Sequence, residues 1–92
     1  VENTGFRAAP NPFRSEVAVS FALPVAGQVR LEIFDVNGRQ VRGFGGSYMA
    51  AGTHGLSWDG TDDDGIRMAP GLYWICLDLS GKKQTRGVVL LR

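Results

Sequence analysis

Cysteine is almost missing from this chain of 92 residues. Cys76 is alone, so no internal disulfide is possible. That removes the staple of many small secreted domains without excluding secretion. Histidine is equally scarce, and His54 with Cys76 makes two ligands, too few for a zinc site. No apolar run approaches the ~18 residues that cross a membrane as a helix. No basic-then-apolar leader follows Val1, so a processed product or a segment of something longer is expected. An excess of one charge is lacking too. Net charge is +1, and the basic residues are scattered singly apart from Lys82 and Lys83. Nothing here draws in nucleic acid or an acidic lipid surface.

Glycine, at 13 residues, and alternating hydrophobicity are what the chain has in quantity. "EVAVSFAL" sets Val17, Val19, Phe21 and Leu23 against Glu16, Ala18, Ser20 and Ala22, the pattern of a half-buried strand. "QVRLEIFD" alternates again, with Val29, Leu31 and Ile33 inward. Asn37-Gly38 then predicts a tight hairpin with a type I′ turn, because both residues tolerate positive φ. "RQVRGF" returns, and "GGSYMAAG" reads as a loop. "THGLSWD" is a strand with His54, Leu56 and Trp58 on one face. "GLYWICLDL" places Tyr73, Ile75, Leu77 and Leu79 opposite Leu72, Trp74, Cys76 and Asp78. "SGK" turns the chain into "KQTRGVVLLR", the last strand. A short strand near Phe6 to Ala8 and a turn at "NPF" open the chain. Helix signals are nearly absent. About seven short strands with regular turns predict an all-β, Ig-like antiparallel β-sandwich, one domain over residues 1–92.

The most acidic stretch, "WDGTDDDGIRMAPG", holds Asp59, Asp62, Asp63 and Asp64. A helix-loop-helix calcium site needs a glycine at the sixth position between a first and a twelfth oxygen ligand. With Gly65 sixth, Gly60 and Gly71 fall at the first and twelfth positions, and neither has a side chain. A looser site from Asp62 and Asp64 stays open. The simpler reading is a structured connection, with Asp accepting backbone N–H groups and Gly supplying unusual dihedrals.

Nothing assembles a catalytic centre. His54 shares an apolar face, Cys76 has no basic neighbour in sequence, and Ser57 and Ser80 lack a nucleophile elbow. "GFGG" lacks the Lys and helix of a phosphate loop. Trp58 reads as core. Trp74 reads equally as covered or as an exposed anchor for a sugar or a protein.

Taken together, "SFALPVAG", "VRLEIFDVNGR", "AGTHGLSWDGTDDDG" and "GLYW" resemble the Ig-like C-terminal domains of bacterial secreted proteins. That group includes type IX secretion sorting domains and FlgD-like Ig domains. The resemblance runs from about Pro10 to Arg92. It implies a sandwich without enzymatic activity or cofactor, carried by exported proteins. Its sorting members are recognised by an outer-membrane secretion machine, and can be cleaved off and replaced by a lipid-linked anchor. It also makes Trp58, Asp59 and Gly60 a structural turn characteristic of the fold, beside Asn37 and Gly38. Gly87, where a Lys is common, and Trp74 and Cys76 depart from the pattern.

The expected function is therefore non-catalytic, in sorting, surface attachment or extracellular assembly. A self-assembling filament or layer subunit and a carbohydrate-binding module are the alternatives. The latter would need Trp74, Tyr73 and Tyr48 exposed in a row. The expected partners are proteins: secretion machinery, the parent protein or neighbouring copies, with a homo-oligomer or filament possible. The expected location is extracellular or at the cell surface. "GVVLLR" is apolar on both faces, which predicts a strand covered by the domain's own core and by a partner. Trp74, Val88, Val89, Leu90, Leu91 and Arg92 are the candidate partner-binding residues.

Overall fold

The alternation seen in the sequence becomes two sheets with one apolar layer between them. A computed structural model describes residues 5–91. Its strands are β1 (Arg7–Ala9), β2 (Val17–Leu23), β3 (Gly27–Phe34), β4 (Gln40–Met49), β5 (Gly52–Trp58), β6 (Gly71–Leu79) and β7 (Lys82–Leu90). They form a three-stranded sheet, β1-β2-β5, and a four-stranded sheet, β4-β3-β6-β7, with antiparallel strand pairing throughout. This is the all-β, Ig-like sandwich.

The core is the set of inward positions. Val17, Val19, Phe21 and Leu23 come from β2; Val29, Leu31 and Ile33 from β3; Tyr73, Ile75 and Leu77 from β6; Val88 and Leu90 from β7. Burying each large aliphatic side chain contributes about 1.5–3 kcal/mol. Trp58 closes one end, fully buried between Phe13 and Tyr73, with ring centroids 5.5 and 5.3 Å away. Its indole N–H donates to the Thr61 carbonyl at 2.8 Å. The Tyr73 hydroxyl donates to the Ala69 carbonyl at 2.6 Å, the tyrosine corner found at the start of this strand in Ig-like sandwiches.

Two local expectations change. "GGSYM" is not a loop: β4 runs unbroken to Met49, with Ser47 opposite Val29 and Met49 opposite Gly27. Pairing with β3 holds this glycine-rich stretch extended, and a register shift absorbs the irregularity. The Asn37-Gly38 connection is not type I′. Only Gly38 takes positive φ, at 81°, and Gly38 N–H donates to the Asp35 carbonyl. That is a type I turn followed by a left-handed glycine, a longer loop than the two-residue hairpin. Positive φ at both central residues occurs instead at Ser80 and Gly81, between β6 and β7.

β7 adds a feature that the sequence reading did not address. Its outer hydrogen-bonding edge is covered by the chain itself. Phe13 N–H donates to the Val89 carbonyl, and Leu91 N–H donates to the Phe13 carbonyl. The Asn11 side chain accepts from Val89 N–H and donates to the Gly87 carbonyl. The "NPF" segment is thus a strap along the end of β7.

Candidate functional site

In the acidic connection each carboxylate except Asp64 has a protein donor. Asp59 accepts from the amide and hydroxyl of Thr61. Asp62 accepts from the amides of Asp64 and Ile66, both at 2.9 Å. Asp63 accepts from the Gly43 amide on β4 at 3.1 Å, while its own amide donates to the Val41 carbonyl. Arg42 donates to the Thr61 hydroxyl, lies 3.6 Å from Asp59 and 3.7 Å from Asp63, and stacks over Phe44. The Thr61 hydroxyl, opposed by partial burial, holds the Asp59 carboxyl below the usual carboxylate range. Among the described residues, no group of three or more His, Cys, Asp or Glu side chains is arranged to hold a metal ion.

The segment Asp62–Ile66 repeats the turn at Asp35–Arg39. In both, the first Asp donates its amide to the carbonyl of the fifth residue. In both, its carboxylate accepts from the third and fifth amides. In both, a fourth-position glycine donates back to the Asp carbonyl, at φ 81° for Gly38 and 82° for Gly65. The sequences are "DVNGR" and "DDDGI". Asp-x-x-Gly is the signal that sequence reasoning overlooked. Of the residues assigned to structural turns, Asn37 and Gly38 lie in the first copy. Trp58, Asp59 and Gly60 lead into the second, with Gly60 buried at φ 78°.

The outer face of the four-stranded sheet carries exposed hydrophobic residues, Leu72 and Trp74. Phe34, Trp74 and Gly87 stand side by side across β3, β6 and β7, and Leu72 pairs with Val89 in the neighbouring row. Trp74 is 40% exposed and Leu72 is 37% exposed. Gly87 explains the indole's place. A Cβ there would come within 2.9 Å of the Trp74 ring, so the absent side chain lets the indole cover the glycine backbone. One side of Trp74 rests on the sheet, and solvent reaches the rest.

The six candidate partner-binding residues divide. Trp74 is exposed, and Val89 and Leu91 are half-buried. Val88 and Leu90 are fully buried and not available to a partner, because the pleat turns them into the core. Arg92 lies outside the described residues. Asn11 and Phe13 bond the hydrogen-bonding edge of β7, which is distinct from the outer face that carries Val89.

The three rings proposed for sugar binding form no row. Tyr73 is buried, and Tyr48 pairs with Gln28 while Trp74 pairs with Phe34. Those pairs are six positions apart along β3, about 20 Å at strand rise. His54 donates to the Ala50 carbonyl at 2.7 Å and packs near Phe21. Cys76 is half-buried on the outer face, opposite Glu32 and Thr85. Among the described residues, neither has a nucleophile or base arranged with it.

The sequence profile of the FlgD Ig-like domain matches residues 11–82. No curated protein matches the chain. Among solved structures, dimeric latent PorU from Porphyromonas gingivalis superposes with a TM-score of 0.70 at 19% identity, over 94% of this chain and 9% of PorU. FlgD from Xanthomonas campestris, whose structure is described in connection with hook capping essential for flagellar assembly, gives 0.64 at 31% identity. That match covers 89% of this chain and 59% of FlgD. PorZ, a surface component of the type-IX secretion system of P. gingivalis, gives 0.65 at 22% identity, over 96% of this chain and 12% of PorZ. The chain thus spans less than two thirds of FlgD and about a tenth of PorU or PorZ. At these identities the likeness to PorU and PorZ is one of fold.

Proposed function

The chain belongs to the FlgD Ig-like domain family, and on that premise we propose that it is a protein-docking module of a secreted bacterial protein. Its role is non-catalytic. It serves sorting, attachment at the cell surface or extracellular assembly. The observation that carries this reading is the seating of Trp74 on Gly87, beside Leu72, Phe34 and Val89. A tryptophan exposed on a sheet and held from beneath loses little side-chain freedom on contact, which suits a binding anchor. Docking here leaves the core untouched, since Tyr73 and Ile75 point the other way.

Photo-crosslinking in an exporting bacterium tests the proposal. A photoreactive residue in place of Leu72 should give a discrete cross-link to an envelope or secreted protein. Trp74→Glu should abolish that cross-link and the surface display of a fused reporter, while the isolated domain keeps its fold. Unchanged display and cross-linking in a folded Trp74→Glu variant would overturn the reading.

A further inference from the structure

The two sheets have four edges, and three carry devices that prevent another strand from adding. Uncovered edges invite such pairing, and short length, charge, proline, bulges or a covering segment block it. β1 is three residues long, and Pro10 and Pro12 follow it. β4 has register shifts, and its Val41–Gly43 portion is bonded to Asp63 of the acidic connection. β7 has Lys82, Lys83 and Arg86 in one half, and the strap of Asn11 and Phe13 over the other.

β5 has none of these. Gly52–Trp58 contains no Asp, Glu, Lys, Arg or Pro. All seven residues pair with β2 in unbroken register, from Val17 opposite Trp58 to Leu23 opposite Gly52. Among the described residues β5 pairs with β2 alone, at the end of its sheet. Gly52, Thr53, Gly55 and Ser57 are exposed.

We propose that the free edge of β5 pairs with β5 of a second copy, antiparallel about a two-fold axis at Gly55. The choice of occupant rests on the strand's match to itself. Full overlap of seven residues places the axis at their midpoint, Gly55. Thr53 then lies opposite Ser57 of the second copy, and His54 opposite Leu56. Two hydroxyl pairs meet on the outer face, and side-chain parity is kept, so both inner faces stay inner. No charged side chain of β5 meets its like across the axis, and a net charge of +1 per chain gives little long-range repulsion. The product is a continuous six-stranded sheet, β1-β2-β5 followed by its symmetry mate, closed by an isologous contact. A seven-residue edge is small beside the ~1,200 Å² or more of stable complexes, so a weak, concentration-dependent dimer is expected. This surface is separate from the Trp74 face.

Sedimentation equilibrium of the domain over a dilution series reaching millimolar tests the pairing. The mean mass should rise toward that of two chains. Thr53→Lys with Ser57→Lys, and Thr53→Glu with Ser57→Glu, should each hold the protein monomeric by setting like charges opposite. Thr53→Lys with Ser57→Glu sets opposite charges across the axis and should restore association to at least the parent level. Both positions are exposed, so melting temperatures should stay near the parent's and exclude misfolding as the cause. Trp74→Glu should associate like the parent, which separates this result from the docking test above. A parent that stays monomeric at every concentration would overturn the proposal. So would like-charge and opposite-charge variants that behave the same.

Discussion

The turns at Asp35–Arg39 and Asp62–Ile66 share one hydrogen-bond pattern and do different work. The first joins two adjacent strands, β3 and β4, and its ends are held by the sheet. The second joins no hairpin. It is held from outside: by Thr61 under the Trp58 indole, by Asp63 on the edge of β4, and by Arg42 reaching across. The same five-residue unit is therefore stable both as part of a sheet and as a clasp against one. What differs is where the anchoring energy originates. For the first turn it is local; for the second it comes from the core and from a strand about twenty residues earlier.

The strongest way to break this comparison is to remove the outside anchor. Trp58→Ala should destabilise the domain by about 3–5 kcal/mol, the range for a large buried aromatic. Hydrogen exchange should then show the Asp64 and Ile66 amides losing protection more than the Asn37 and Arg39 amides. Equal loss at both turns would mean that the second turn does not depend on its anchor.

A smaller and symmetric effect is expected at the two glycines. Gly38→Ala and Gly65→Ala each place a Cβ in left-handed backbone, at about 1–2 kcal/mol. No heavy atom lies within 4 Å of either ideal Cβ, so strain alone should act. Denaturant unfolding should give similar losses at both. A loss at one glycine only would show that the turns are not equivalent.

Acid gives a graded comparison. Asp35 is held below the usual carboxylate value chiefly by the Arg39 amide, against partial burial, with help from the Asn37 amide and the Arg39 charge. Asp59 is held low chiefly by the Thr61 hydroxyl. A depressed folded-state pKa contributes stability above the unfolded value, near 4, and that contribution is lost as pH falls through the folded value. Melting temperature should therefore drop below about pH 4. Asp35→Asn and Asp59→Asn should each flatten the drop, and a slope unchanged in both would contradict these assignments.

The smallest expected effect is none. Calcium should leave the melting temperature unchanged, because Asp62 already accepts two backbone amides and Asp63 a third. A site at 100-fold excess over its dissociation constant would add about 2.7 kcal/mol, a shift of several degrees that calorimetry would detect.

The strands were legible because burial imposes a period of two, and β2, β3 and β6 carry it in Val, Leu, Ile, Phe and Tyr. Where that period lapses, the reading failed. "GGSYM" has glycines in place of alternating side chains, and only pairing with β3 reveals it as strand. The hairpin turn was misread because Asn37-Gly38 was weighed without Asp35, whose carboxylate favours the longer loop. The candidate docking face was half legible. Trp74 stood out in sequence, but its support is Gly87, a neighbour only through the β6–β7 register. The contact between Asn11 and Gly87 spans 76 positions and has no local signal at all.

The strap of Asn11 and Phe13 on β7 has a mechanical consequence. Phe13 and Leu90 form a parallel bridge, whereas the named strands pair antiparallel. When the chain before Phe13 and the chain after Leu90 are drawn apart, the two segments slide lengthwise past each other. The bonds on either side of Phe13 and the two at Asn11 then take the load together, in shear. An antiparallel hairpin such as β6–β7, pulled by its two free ends, opens one bond after another. A pull on these two segments thus loads the strap along its more resistant direction.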